Sequence, residues 1–223
     1  NFEHLPQSIA QLGALQYLDL RECKRLKELQ GFPEHLDTIN VDWSNDRMCN
    51  SLFQNISSLQ HDISASDSFS LRVFTSWIPI WEDKIIPSWF HHRGSGTSVS
   101  VNLPQNWYIS DNFLGFAVCF YGKFYEKLID ITAHLIPLCD DGMSFMTQKL
   151  TLSNHSEYSP DDIYFLLVPL SGLWDTSKAN GKTPNDYGCI RLSFSGKVDT
   201  FGVRLVYKDE PTEHCIGDKE EQR

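Results

Sequence analysis

The chain has 223 residues, 41% of them hydrophobic and 13% aromatic. That is enough apolar mass for one large or two small folded domains, and it excludes a wholly disordered chain. A formal charge of −10, from 29 acidic against 19 basic residues, repels phosphate backbones and anionic headgroups and sets nucleic acid and membrane surfaces aside as partners. The longest apolar runs, 113–120 and 163–170, are far shorter than the roughly 20 residues of a membrane-spanning helix.

The first element is a repeat. Leu15-x-x-Leu18-x-Leu20-x-x-Cys23 fits the leucine-rich-repeat template, and Leu36-x-x-Ile39-x-Val41 restates it 21 residues later, within the roughly 20 to 29 expected of such units. Leu5-Pro6, Ile9 and Leu12 supply the preceding arc. Ser44 stands where the first frame has Cys23, and no third frame follows, so the solenoid is expected to span residues 1–44 and end there. Such units bury their apolar face only against neighbours; with two frames and an opening in mid-pattern, the chain reads as a piece of a longer protein. The x positions of the frames face outward: Gln16, Tyr17, Asp19 and Arg21, then Asp37, Thr38, Asn40 and Asp42. The first four are candidate partner-binding residues.

Residues 45–70 are rich in Ser, Asn and Asp. The spacing of Leu52, Phe53, Ile56 and Leu59 predicts an amphipathic turn or short helix within a cap and linker. From residue 71 the period changes to two, or to short apolar runs between turn residues, which is the pattern of strands. Strands are predicted at 71–77, 98–103, 113–121, 130–138, 146–152, 163–170, 189–194 and 201–208. The fold class is therefore mainly β: an antiparallel β-sandwich of jelly-roll or Ig-like type over residues 71–210, preceded by the last one or two leucine-rich repeats and followed by a polar, flexible tail at 211–223.

Signatures of catalysis are not found. Gly181-Lys182-Thr183 imitates the end of a phosphate-binding loop, but the motif requires glycine where Thr176 stands. His91-His92 is read as a solvated loop pair, since neighbours on a strand point to opposite faces. Asp140-Asp141 and Asp161-Asp162 are read as turn formers. Neither a Gly-x-Ser-x-Gly elbow nor a zinc-type spacing of Cys and His occurs. No catalytic residue, metal or cofactor is assigned. Six scattered cysteines (Cys23, Cys49, Cys119, Cys139, Cys189 and Cys215) read as free thiols of a reducing compartment.

Surface recognition is the chemistry that remains. The longest loop, 171–187, sets Trp174 and Tyr187 among Asp175, Lys178, Asn180, Lys182 and Asn185. Rigid rings contribute contact area at low entropic cost and polar side chains adapt around them, so these seven are the other candidate partner-binding residues. Trp174 could equally pack back on the sandwich.

Ile86-Pro-Ser-Trp-Phe90, Ser98-Val-Ser-Val-Asn-Leu-Pro104, Asn106-Trp-Tyr108, Phe113-Leu-Gly-Phe-Ala-Val-Cys119 and Phe201-Gly-Val-Arg-Leu-Val-Tyr207 resemble the post-repeat jelly-roll and Ig-like domain, C-JID, of plant TIR-type nucleotide-binding leucine-rich-repeat receptors. The resemblance covers about residues 1 to 208 and weakens at 45–52, where the chain looks shortened. It implies a cytoplasmic or nuclear sensor module that binds a pathogen effector protein, viral effectors included, contacts other domains of the same receptor, and triggers the hypersensitive response. The NAD-cleaving and nucleotide-binding domains of such receptors have no counterpart in these residues, so the module is expected not to be an enzyme. A carbohydrate-binding sandwich is the alternative; it would suit an exported chain glycosylated at Asn55-Ile56-Ser57 or Asn154-His155-Ser156.

Overall fold

A computed structural model describes residues 2–60, 73–77, 86–122, 128–139, 145–153 and 162–208. The expected linker beyond residue 60, the strand start at 71–72, Asp140-Asp141, Asp161, the triplet at Asn154 and the tail at 211–223 lie outside the described residues.

A 3-10 turn at Gln7–Gln11 leads to β1 (Tyr17–Asp19), and the chain returns in parallel as β2 (Thr38–Asn40). Leu18 pairs with Ile39 and Tyr17 with Thr38, the same 21-residue offset that the leucine pattern carries. The sheet continues past β2. Its far edge meets β3 (Val73–Trp77) in parallel, where Thr75 N donates to Asp37 O at 2.8 Å and the Thr38 and Thr75 hydroxyls lie 3.0 Å apart.

Between β2 and β3 runs α1 (Asp46–Gln60), a helix of 15 residues, longer than the turn or short helix that its spacing predicts. Its Ser and Asn residues are poor helix formers, and what holds it is burial. Met48, Cys49, Leu52, Phe53 and Ile56 make one stripe, none of them more than 1% exposed.

The remaining strands are β4 (His92–Asn102), β5 (Phe113–Tyr121), β6 (Leu128–Pro137), β7 (Met146–Ser153), β8 (Asp162–Val168) and β9 (Tyr187–Tyr207), with the single turn α2 (Leu170–Leu173) after β8. The fold is mainly β. The nine strands of the described residues join one mixed sheet in the order β1-β2-β3-β8-β5-β9-β6-β7, with β4 beside β9.

Two predicted strands, 189–194 and 201–208, prove to be one strand of 21 residues. Ser195-Gly196 reads as a turn, but β9 only bends there. Its first half pairs with β6, from Tyr187↔Pro137 to Phe194↔Ile131; its second half pairs with β5, from Thr200↔Tyr121 to Tyr207↔Phe113. β4 accompanies both halves, with register shifts either side of Gly96, whose φ of +113° favours glycine. The sheet thus curls into two layers, β3-β8-β5-β9 and β4-β9-β6-β7. His92 opens β4 rather than sitting in a loop, and the ring of His91 lies 3.0 Å from Arg204 Nη1.

Between the layers lies one core, with Phe116, Val118, Phe120, Ile131, Leu135, Leu166, Val168, Ile190 and Leu192 all fully buried. A second core lies on the outer side of β5 and β8. There Cys119, Phe165 and Leu167 meet α1, Trp89 and Phe90, and the leucines of the repeat arc. β5 and β8 are therefore buried on both faces, which explains their unbroken apolar runs.

Gln148 is the one discordant side chain of the inner core. It is 5% exposed, neither its nitrogen nor its oxygen has a partner among the described residues, and it presses on Gly172, where a Cβ would stand 2.1 Å from Nε2. An orphaned buried amide costs about 1 to 3 kcal/mol. Gln148→Met should therefore raise the unfolding free energy measured in urea by about that amount; a decrease would show that the amide is partnered.

Candidate functional site

The long loop between β8 and β9 is built by local hydrogen bonds. After α2, Asp175 Oδ1 accepts from Ser177 N at 2.9 Å and Ser177 Oγ at 2.6 Å, while Lys178 Nζ lies 3.0 Å from Oδ2. The Ser177 hydroxyl, then Lys178, hold the Asp175 carboxyl down to about 2. Asn180 and Gly181 reverse the chain with φ of 50° and 78°. The Gly-Lys-Thr triplet ends in a cap: Thr183 and Asp186 form a reciprocal capping box around the 3-10 turn Pro184–Asp186.

This order decides which expected contact residues reach solvent. Lys178 and Asn180 are exposed, Lys182 and Asp175 half-buried. Trp174 is half-buried against the inner core, edge-on to Tyr187 with ring centroids 5.5 Å apart. Two expectations need correction. Tyr187 is 1% exposed because it is the first inward-facing ring of β9, and Asn185 turns inward: its Oδ1 accepts from Tyr108 N at 2.8 Å and its Nδ2 donates to Tyr108 O at 3.0 Å. Both residues brace the loop and offer little to a partner.

Asn185 joins this loop to the β4–β5 segment and Asp186 O joins it to the β6–β7 connection, two segments not singled out from the sequence. In the segment between β4 and β5, Trp107 Nε1 donates to Tyr187 O at 3.0 Å, and Tyr207 Oη donates to Trp107 O at 2.6 Å. In the β6–β7 connection, Leu138 N donates to Asp186 O at 3.0 Å. Ile109, Leu138 and Phe145, at 52%, 65% and 61% exposure, bring apolar surface to this end of the sandwich. The available signal was Leu138, an apolar residue placed after Pro137 at the end of a strand.

The outward positions of β1 are presented as expected. Gln16, Tyr17, Asp19 and Arg21 are all exposed, Tyr17 at 52%. Arg21 Nε donates to Asp19 Oδ1 at 2.9 Å, and this contact lowers the Asp19 carboxyl below its ordinary range. Asn40 Nδ2 donates to the Tyr17 hydroxyl at 2.7 Å. Asn40, outward-facing by spacing, is 1% exposed because β3 covers β2, and Ser76 Oγ donates to its Oδ1 at 3.3 Å. Tyr17 is thus braced from β2, with its ring free.

Burial pushes the Cys49 and Cys119 thiols well above their ordinary range. Among the described residues, no three His, Cys, Asp or Glu side chains gather as a metal site would need.

A model of the C-JID domain matches residues 81–212. TMV resistance protein N of Nicotiana glutinosa is 53% identical over 265 residues, covering 97% of this chain and 23% of that protein. Disease resistance-like protein DSC1 of Arabidopsis thaliana is 28% identical over 153 residues, covering 53% of this chain and 12% of that protein. The chain belongs to the C-JID family and is a module of a plant disease-resistance receptor, from the C-terminal region of the TIR-type nucleotide-binding leucine-rich-repeat class. It spans less than a quarter of the length of either relative. The stretch aligned with the tobacco protein is longer than the chain itself, so that protein carries residues there with no counterpart here.

Asn185→Ala removes both bonds to Tyr108. The expected result is a loss of about 1 to 3 kcal/mol in stability, with faster hydrogen exchange at Tyr108 and Trp107; unchanged exchange there would show that the loops are held by other contacts.

Proposed function

We propose that this module recognises a pathogen effector protein directly, within a receptor that works in the cytoplasm or nucleus, and that binding triggers the hypersensitive response. The observation that carries the reading is the pairing of β2 with β3, which makes the outward strands of the repeat and the sandwich parts of one sheet. Four strand spacings separate β1 from β5, roughly 20 Å. We take the exposed face of β1 and the braced loop end as two parts of one contact surface for a single partner of ordinary interface size, about 800 Å² a side. The formal charge of −10 favours a partner with a basic face.

The location in a reducing compartment rests on five unbridged cysteines among the described residues. No described helix is long and apolar enough to cross a membrane. The carbohydrate reading loses support at Asn55, whose Nδ2 donates to Leu29 O at 2.9 Å and Ser51 O at 2.7 Å, so a glycan there would break both bonds.

The test is co-precipitation of the full receptor with its cognate pathogen protein, comparing wild type with Tyr17→Ala and with Lys178→Ala/Asn180→Ala. Each should weaken binding about tenfold or more, an effect of roughly 1.4 kcal/mol, while circular dichroism stays unchanged. Undiminished binding by both variants would overturn the reading.

A further inference from the structure

The repeat arc and α1 flank an open polar cleft of about 370 Å³ that the loop surface does not use, lined by His4, Lys27, Glu28, Arg47, Asn50 and Ser51. Three of these, Arg47, Asn50 and Ser51, stand on one face of α1 at helical spacing. The opposite wall is the 27–28 segment, fixed by Lys27 N donating to Glu3 O at 2.9 Å and by Leu29 N donating to Ser51 Oγ at 2.9 Å.

Most of the charges in the wall are answered. Lys27 pairs with Glu3, and Glu28 accepts from Gln30 and faces His4 at 3.5 Å. Among the described residues, the guanidinium of Arg47 makes no ion pair or side-chain hydrogen bond and the buried Oδ1 of Asn50 has no donor. One unanswered cation and one unanswered acceptor thus meet in one cleft.

We infer that this cleft takes an acidic residue of a peptide segment, its carboxylate on Arg47 and its backbone N–H supplying the donor that Asn50 lacks. With Lys27 answered by Glu3, Arg47 is the cation of the wall left without an ion pair among the described residues, a single positive charge. That matches a single carboxylate better than a dianionic phosphate. An Arg fork receives a carboxylate through two parallel bonds. The cleft, about 370 Å³, has room for a whole residue with its backbone. The site lies on the repeat side of the molecule and shares no lining residue with the loop surface.

The experiment titrates the 223-residue chain with the blocked tripeptide Ac-Gly-Glu-Gly-NH2, its Gln counterpart and inorganic phosphate, following the Arg47 Nε–H and Asn50 side-chain signals by NMR. The Glu peptide should give saturable shifts, the Gln peptide at least tenfold weaker ones, and Arg47→Gln should abolish the difference while Arg47→Lys restores part of it. Equal response to Glu and Gln, tighter binding of phosphate than of peptide, or no saturable shift would each overturn the assignment. Arg47 is exposed on α1, and an unchanged thermal melt of Arg47→Gln confirms that the fold is kept.

Discussion

The structure depends on the burial of one sheet layer from both sides. Phe53 of α1 is fully buried, stacks on Trp89 with ring centroids 5.2 Å apart, and meets Phe90 at 5.9 Å and Phe165 of β8 at 6.5 Å. Each fully buried ring or branched side chain contributes about 1.5 to 3 kcal/mol, and α1 places Leu52, Phe53 and Ile56 in the same cluster as Leu20, Leu36 and Ile39 of the repeat arc. Trp43 adds a second tie, 4.6 Å from Phe165 by ring centroids, with Nε1 donating to Ser76 Oγ at 2.9 Å. Strands β1 and β2 are welded to the sandwich through side chains as well as through the sheet.

That weld has a functional consequence. A recognition surface split between two bodies would lose orientational freedom on binding; one carried on a single sheet has already lost it during folding. The loops follow the same logic. Asn185, Trp107 and Leu138 N cross-brace three connections into one surface, and the carboxylate of Asp175 is spent on its own turn. Under the proposed function, a partner would meet a shape that is largely set, with Lys178, Asn180 and the edge of Trp174 on one part and Tyr17 on another.

Much of this was legible in the sequence, because the decisive signals were periodic. The 21-residue offset of leucines foretold the β1–β2 register, and the run 113–121 bounded by Asn112 and Gly122 gave β5 to the residue. What was not legible depended on distant partners. The length of α1 comes from burial against β5 and β8, which its Ser-rich composition conceals. β9 runs through Ser195-Gly196 because β4 bends alongside it. Tyr187 and Asn185 look like loop residues until Trp107 and Tyr108, some 80 residues earlier, close over them.

The central claim, that repeat strands and sandwich form one cooperative body through α1, is tested most directly by hydrogen exchange on Phe53→Ala. A cavity of that size should cost about 3 to 5 kcal/mol. Protection in β2 and in β8 should fall together and by the same free energy. If β2 opened alone while β8 kept its wild-type protection, the two parts would be independent and the claim would fail.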